Sequence, residues 1–229
     1  MSERFSDRKE AGQLLAQRLA GMRPADPVVL ALPRGGVPVA AEVADVLHAP
    51  LDLVMVRKIG APAQPEFAVA AIAEGMEQPE VNDSSDATSV GADARYIERV
   101  AREQRLEIAR RRHTYLNDRA PLSLLGRTAV VVDDGLATGA TMRAALGVVR
   151  RRGPARIVLA LPVAPREAID ALRGAADDVV CLRQPSFFRA VGDHYVDFHE
   201  VSDGEVIALL ARHADRARSA SDRFSRMRS

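Results

Sequence analysis

The sequence predicts an α/β fold: a central parallel sheet flanked by helices, with a small C-terminal hood. Three observations lead there. Short apolar runs alternate along the chain with segments of helical period, the pattern of a parallel sheet covered on both faces. Most runs end in Gly, Pro or charged residues, which punctuate strand ends. The chain has 229 residues, 47% of them hydrophobic, enough for one large core with an appendage.

Ala11, Leu14, Leu15 and Leu19 recur at helical spacing over 6–21, after a Ser6 or Asp7 cap. The proline-bounded run 27–33 reads as a buried strand. Residues 36–48 read as a helix, because Pro38 falls in the first turn, where a missing N–H costs nothing. Strands are expected at 51–58 and 66–75, followed by a polar loop or lid from Met76 to about Gly91 with a short strand at Glu80–Val81. A long charged helix follows at 92–116, with Ile97, Val100, Leu106, Ile108 and Ala109 near one side; its interleaved glutamates mark a solvated face and not a nucleic-acid surface. Then come strand 127–132, helix 139–151, strand 155–163, helix 165–174 and strand 178–182, a Rossmann-like order. The aromatic-rich stretch after 183 turns helical near Ser202, and the Arg/Ser-rich tail from Asp215 reads as frayed. The division is therefore an N-terminal helix (1–26) that joins the hood, a core (27–183), the hood with its helix (184–214) and a tail (215–229).

Charge and composition exclude several classes. A net charge of +1 creates no field toward nucleic acid or membrane. Cys181 is the only cysteine, so there is no multi-cysteine metal site, and it reads as a small buried hydrophobe. The charged first residues lack a signal-peptide core and no apolar run approaches a membrane span, so a cytoplasmic protein is expected. Neither G-x-S-x-G nor G-x-G-x-x-G occurs, which leaves serine-hydrolase and dehydrogenase readings without support.

Ligands of open parallel sheets sit beyond the carboxyl ends of the strands, and three such ends carry chemistry. In "AVVVDDGLATGATM" (129–142), Asp133 and Asp134 end a buried strand and a small-residue loop leads into a helix. The loop suits an anion, through close backbone N–H groups, the helix terminus and the hydroxyls of Thr138 and Thr141. The two acids suit hydroxyl donors or a divalent cation. In "ALPRGGVPVA" (31–40), Gly35 and Gly36 leave room for a ligand and Arg34 offers a donor fork. In "VMVRKIGAPAQPEFAVA" (54–70), Arg57 and Lys58 leave a strand together, one of the two lysines of the chain among them. Cations there would stabilise negative charge developing on a leaving group.

The string "VVVDDGLATGAT" closely resembles the 5-phosphoribosyl-1-pyrophosphate (PRPP) motif of type I phosphoribosyltransferases, and "PRGG" resembles the pyrophosphate loop of that family, with Pro33 where serine is usual. The Arg-Lys-x-Gly run is similar to one in adenine and orotate phosphoribosyltransferases, where the lysine can reach across a dimer interface. The resemblance implies the family fold and ribose hydroxyls on Asp133 and Asp134. It places the 5-phosphate on Ala137, Thr138, Gly139, Ala140 and Thr141, and pyrophosphate on Arg34, Gly35, Gly36, Arg57 and Lys58. Arg57, Lys58, Asp133 and Asp134 become the expected catalytic residues. A flexible loop falls within about 59–95, with Glu66 either a ligand contact or part of the loop. Mg²⁺ is expected through PRPP oxygens and not through direct protein ligands, and a homodimer is expected.

The resemblance leaves the acceptor open. The 6-oxopurine enzymes commonly carry aspartate where Ala137 stands, and orotate enzymes carry lysine and histidine in a flexible loop that here has neither. Acceptor contacts are expected from the hood, with Phe188, Tyr195 and Asp197 the candidates beside Phe187, Phe198, Phe5 and Asp193. Packing is the plainer role for at least half of the aromatics, and a surface or packing role for His194 and His199. The expected function is transfer of phosphoribosyl to a nitrogenous acceptor. A PRPP- or nucleotide-sensing regulator and a nucleotide or nucleoside hydrolase are the alternatives.

Overall fold

The protein is described from a computed structural model covering residues 4–81 and 84–214. The tail from Asp215 and the side chains of Glu66 and Ala140 lie outside the described residues. Five strands, β1 (Pro27–Ala31), β2 (Leu51–Leu53), β6 (Thr128–Val132), β7 (Arg156–Val163) and β8 (Asp178–Arg183), form one parallel sheet in the order β2-β1-β6-β7-β8.

Alternate strand residues face opposite layers, and both faces are dry, which is why these strands read as apolar throughout. Val29, Ala31, Val130, Val132, Val158 and Ala160 pack with α1 (Arg8–Ala20), α2 (Gly36–Val46) and α4 (Ala94–Leu116). Val28, Leu30, Ala129, Val131, Ile157 and Leu159 pack on the other side with α5 (Ala140–Arg151) and α6 (Arg166–Asp170). Among the described residues, no helix is long and apolar enough to cross a membrane.

The strand expected at 51–58 is a correction. It breaks after Leu53, and Val56–Ala61 forms β3 of a second, antiparallel sheet with β4 (Gln64–Ala73) and β5 (Glu80–Val81). Arg57 pairs with Ile72 and Lys58 with Ala71, so both cations stand on an antiparallel ribbon and not at a carboxyl end of the parallel sheet. Sequence periodicity cannot see a break between two apolar strands when no Gly or Pro marks it. The polar stretch from Met76 to Gly91 holds the expected short strand at Glu80–Val81 and also a short helix, α3 (Ser84–Ser89), which the polar composition concealed.

On α4 the buried positions are Ile97, Ala101, Ile108, Arg112, Tyr115 and Leu116, whereas Leu106 is exposed. Arg112 is inward because it serves a buried acid. Asp52 on β2 has no exposed side-chain surface; it lies 3.1 Å from Arg119 and 3.7 Å from Arg112, and accepts from the Leu122 N–H at 2.8 Å. Glu74 holds the other side of Arg112 at 2.9 Å. This network ties the sheet edge to α4 and the end of β4. Asp52→Ala leaves two guanidinium groups and one N–H without their acid, so unfolding free energy by urea titration should fall by about 3–5 kcal/mol.

Candidate functional site

Asp133 and Asp134 follow β6 directly, at the carboxyl edge of the sheet, and the strand order reverses between β6 and its neighbour β1. The loop after β1 lies on top of them. A Cβ at Gly35 would collide with the Asp134 carboxylate, and one at Gly36 would sit 2.8 Å from the Val132 carbonyl oxygen and 2.9 Å from Asp133 Cα. Gly35 has an ordinary right-handed φ of −58°, so its role here is space and not an unusual backbone. The Pro33–Arg34 peptide is cis. At Gly139 the conformation does matter: its φ is +87°, it caps the start of α5, and a side chain would be strained there.

The acids have a basic partner from the far end of the chain. Arg8, the first residue of α1, donates from Nε to Asp134 Oδ2 at 2.8 Å and from Nη1 to the His199 carbonyl at 2.9 Å. Its guanidinium carbon lies 3.8 Å from the centre of the Phe198 ring. Both side chains of the ion pair are nearly buried, 9% exposed for Arg8 and 13% for Asp134. Asp133 receives the Asp134 N–H at 2.9 Å. Burial, then the charge of Asp134, push the Asp133 carboxyl well above the usual carboxylate range; for Asp134 the upward push of burial is opposed by Arg8.

The residues expected to contact the acceptor separate. Tyr195 is 2% exposed, packs between Phe5 and Phe198, and donates its hydroxyl to the Asp134 carbonyl at 2.5 Å. Its ring has no free face for a base, so it supports the acid pair from behind. Phe188 stacks on His194 with ring centres 5.2 Å apart. Asp197 is exposed and accepts from the His199 N–H at 3.0 Å.

The loop 135–139 carries Ala137 and Thr138 exposed ahead of α5, and Thr141 in the first turn of that helix. Thr141 also lines a cleft of about 660 Å³ between β3 and α4, together with Arg57, Lys58, Tyr96, Arg99 and Gln104. Arg57 donates to Gln104 at 2.9 Å, and burial, then Arg111, lower its pKa. The cleft thus joins the expected phosphate loop to the expected leaving-group cations. Arg34 is turned toward the C-terminal segment instead. It is ion-paired with Glu200, and with Asp203 at 3.6 Å, the first residue of α7 (Asp203–Arg212). Asp203 in turn accepts from the Tyr115 hydroxyl at 2.6 Å, and burial followed by that bond pushes Tyr115 up to about 12.

The phosphoribosyl transferase domain model matches residues 7–199. The chain belongs to the phosphoribosyltransferase family. Two Mycobacterium tuberculosis proteins that bear a phosphoribosyl transferase name, from strains CDC 1551 and H37Rv, are each 47% identical over 218 residues, 95% of this chain and 49% of theirs. The chain spans about half the length of these curated relatives. The crystal structure of TT1426 from Thermus thermophilus is 48% identical, covers 91% of this chain and 98% of its own, and superposes with a TM-score of 0.78. The parallel sheet and its flanking helices are the type I phosphoribosyltransferase fold, as the sequence led us to expect.

Sequence reasoning missed Arg8, Glu200 and Asp203, because each meets the site across more than a hundred residues of chain. The local pattern of charge around Arg8 or Glu200 gives no signal of such a partner.

Asp133 gives a pH-dependent prediction. A carboxyl raised by burial favours its protonated form, so its contribution to stability is full in acid and is lost as pH rises through the raised value. Asp133→Asn should therefore raise the thermal midpoint by about 2–4 °C near neutral pH, with the gain vanishing toward acid pH.

Proposed function

We propose that the protein transfers 5-phosphoribosyl from PRPP to a nitrogenous acceptor, a nucleobase or related heterocycle, with release of pyrophosphate. The observation that carries this reading is the packing of Gly35 and Gly36 onto Asp134 and Asp133, because it sets the Arg34 loop against the acid pair. A sugar held by the acids would have its anomeric substituent next to this glycine loop.

In this reading the carboxylates accept from the ribose hydroxyls, while residues 137–141 receive the 5-phosphate at the start of α5. Arg34 binds the pyrophosphate, and Arg57 and Lys58 lower the cost of the charge that gathers on it as the bond to ribose breaks. Mg²⁺ fits the carboxylate oxygens that Asp133 and Asp134 bring to the site. Pyrophosphate and ribose oxygens would carry the ion, with Asp133, Asp134 and Arg34 holding its carrier; when bound it supplies charge neutralisation at the leaving group. A cytoplasmic homodimer belongs to the same proposal.

A screen of nitrogenous acceptors with PRPP and Mg²⁺, read by pyrophosphate release, tests the reading. Release that depends on one acceptor class is expected, and Lys58→Ala should lower kcat by about tenfold or more while changing PRPP affinity less. PRPP binding without release for any acceptor would favour the sensor, and release with water alone the hydrolase.

A further inference from the structure

Each acid of the pair is held by one of its oxygens. Asp134 Oδ2 accepts from Arg8 Nε at 2.8 Å, and Asp133 Oδ1 accepts from the Asp134 N–H at 2.9 Å. No other group among the described residues donates to either carboxylate, so Oδ1 of Asp134 and Oδ2 of Asp133 are left for a ligand. Both residues are partly exposed, which keeps those oxygens within reach.

An aspartate side chain turns about two bonds, and two like charges placed side by side turn apart unless something holds them. At Asp134 that hold is Arg8, and Arg8 is itself fixed from three sides. It stands in the first turn of α1, its guanidinium lies 3.8 Å from the centre of the Phe198 ring, and Nη1 donates to the His199 carbonyl at 2.9 Å. Two donors of one rigid plane are thus used together, which a lysine cannot match. The Tyr195 hydroxyl holds the Asp134 carbonyl as well, so backbone and side chain are both anchored. The oxygen that Arg8 takes is the one beneath the Arg34 loop: a Cβ at Gly35 would fall on Oδ2 and stay 3.1 Å from Oδ1.

We propose that Arg8 is a positioning residue for the sugar: by pinning one oxygen of Asp134 it aims the other, beside the open oxygen of Asp133, at two neighbouring hydroxyls on one face of a ring. The proposal rests on the phosphoribosyltransferase reading of the pocket and adds a selectivity to it. Each hydroxyl donates to one open oxygen, so the ligand class is a sugar phosphate with an intact vicinal cis-diol. A sugar without one of the hydroxyls leaves a poorly solvated carboxylate oxygen without its donor, and a site built for a hydroxyl rejects the analogue that lacks it. Because Arg8 acts through Asp134, its effect belongs to one hydroxyl alone.

Calorimetry without Mg²⁺ tests this with three probes: ribose 5-phosphate, 2-deoxyribose 5-phosphate and 3-deoxyribose 5-phosphate. The wild-type protein should bind ribose 5-phosphate about tenfold or more tighter than either deoxy sugar. Arg8→Gln should weaken ribose 5-phosphate by about tenfold, weaken one deoxy sugar by the same factor and leave the other within about twofold. The sugar left unchanged is the one that lacks the hydroxyl of Asp134. Arg8→Lys keeps the charge but brings a single nitrogen, so it should show the same pattern with a smaller loss, and it carries the test if Arg8→Gln fails to fold. A residue that only held the fold together would lower all three affinities alike; that result, or three unchanged affinities, would overturn the proposal. The reading of the pocket fails in a different way: the wild-type protein would then bind ribose 5-phosphate no more tightly than inorganic phosphate, whatever stands at position 8.

Discussion

Two adjacent carboxylates at the end of a buried strand pose a charge problem, and much of the site is arranged around it. Like charges so close, and so poorly solvated, resist ionising together. One of them is given a cation: Arg8 reaches Asp134 from the N-terminal helix, with Phe198 covering the guanidinium and the His199 carbonyl taking a second donor. The other, Asp133, is given a backbone N–H. A buried ion pair is a weak device for stability, since the desolvation it demands rivals the attraction it gains. Its value here is placement: the first helix and the C-terminal segment are tied to the middle of the chain at the carboxyl edge of the sheet.

The same constraint explains the glycines. With Asp133 and Asp134 filling the space above the strand, the neighbouring loop can pass only if residues 35 and 36 have no Cβ. The acids and the Arg34 loop are thus packed as one unit. Tyr195 closes that unit from behind through the Asp134 carbonyl, so the C-terminal segment is part of the site's frame. Cations around the pocket are distributed differently. Arg34 is held by carboxylates of the C-terminal segment, whereas Arg57 and Lys58 border a cleft with Thr141.

The parallel sheet and the place of the acid pair at its carboxyl edge were legible in the sequence because their signals are local. Apolar runs mark strands buried on both faces, and the polar residues that follow such a run mark where a strand leaves the sheet. The break between Leu53 and Val56 was not legible, since Val54 and Met55 continue the apolar run; buried Arg112 and Asp52 were hidden because each depends on the other across the fold. Arg8 and Tyr195 were missed or misplaced for the same reason: an aromatic or a cation shows its role only through a partner distant in sequence. The relatives establish the family.

The acid pair and the Arg34 loop are assigned to the two ends of one phosphoribosyl donor, and a crystal structure with PRPP or an unreactive analogue and Mg²⁺ tests that assignment most directly. Ribose hydroxyls on Asp133 and Asp134, the 5-phosphate in the 137–141 loop, and Arg34 detached from Glu200 and bonded to pyrophosphate are the expected result. A sugar bound elsewhere, or an Arg34–Glu200 pair left intact beside bound pyrophosphate, would contradict it.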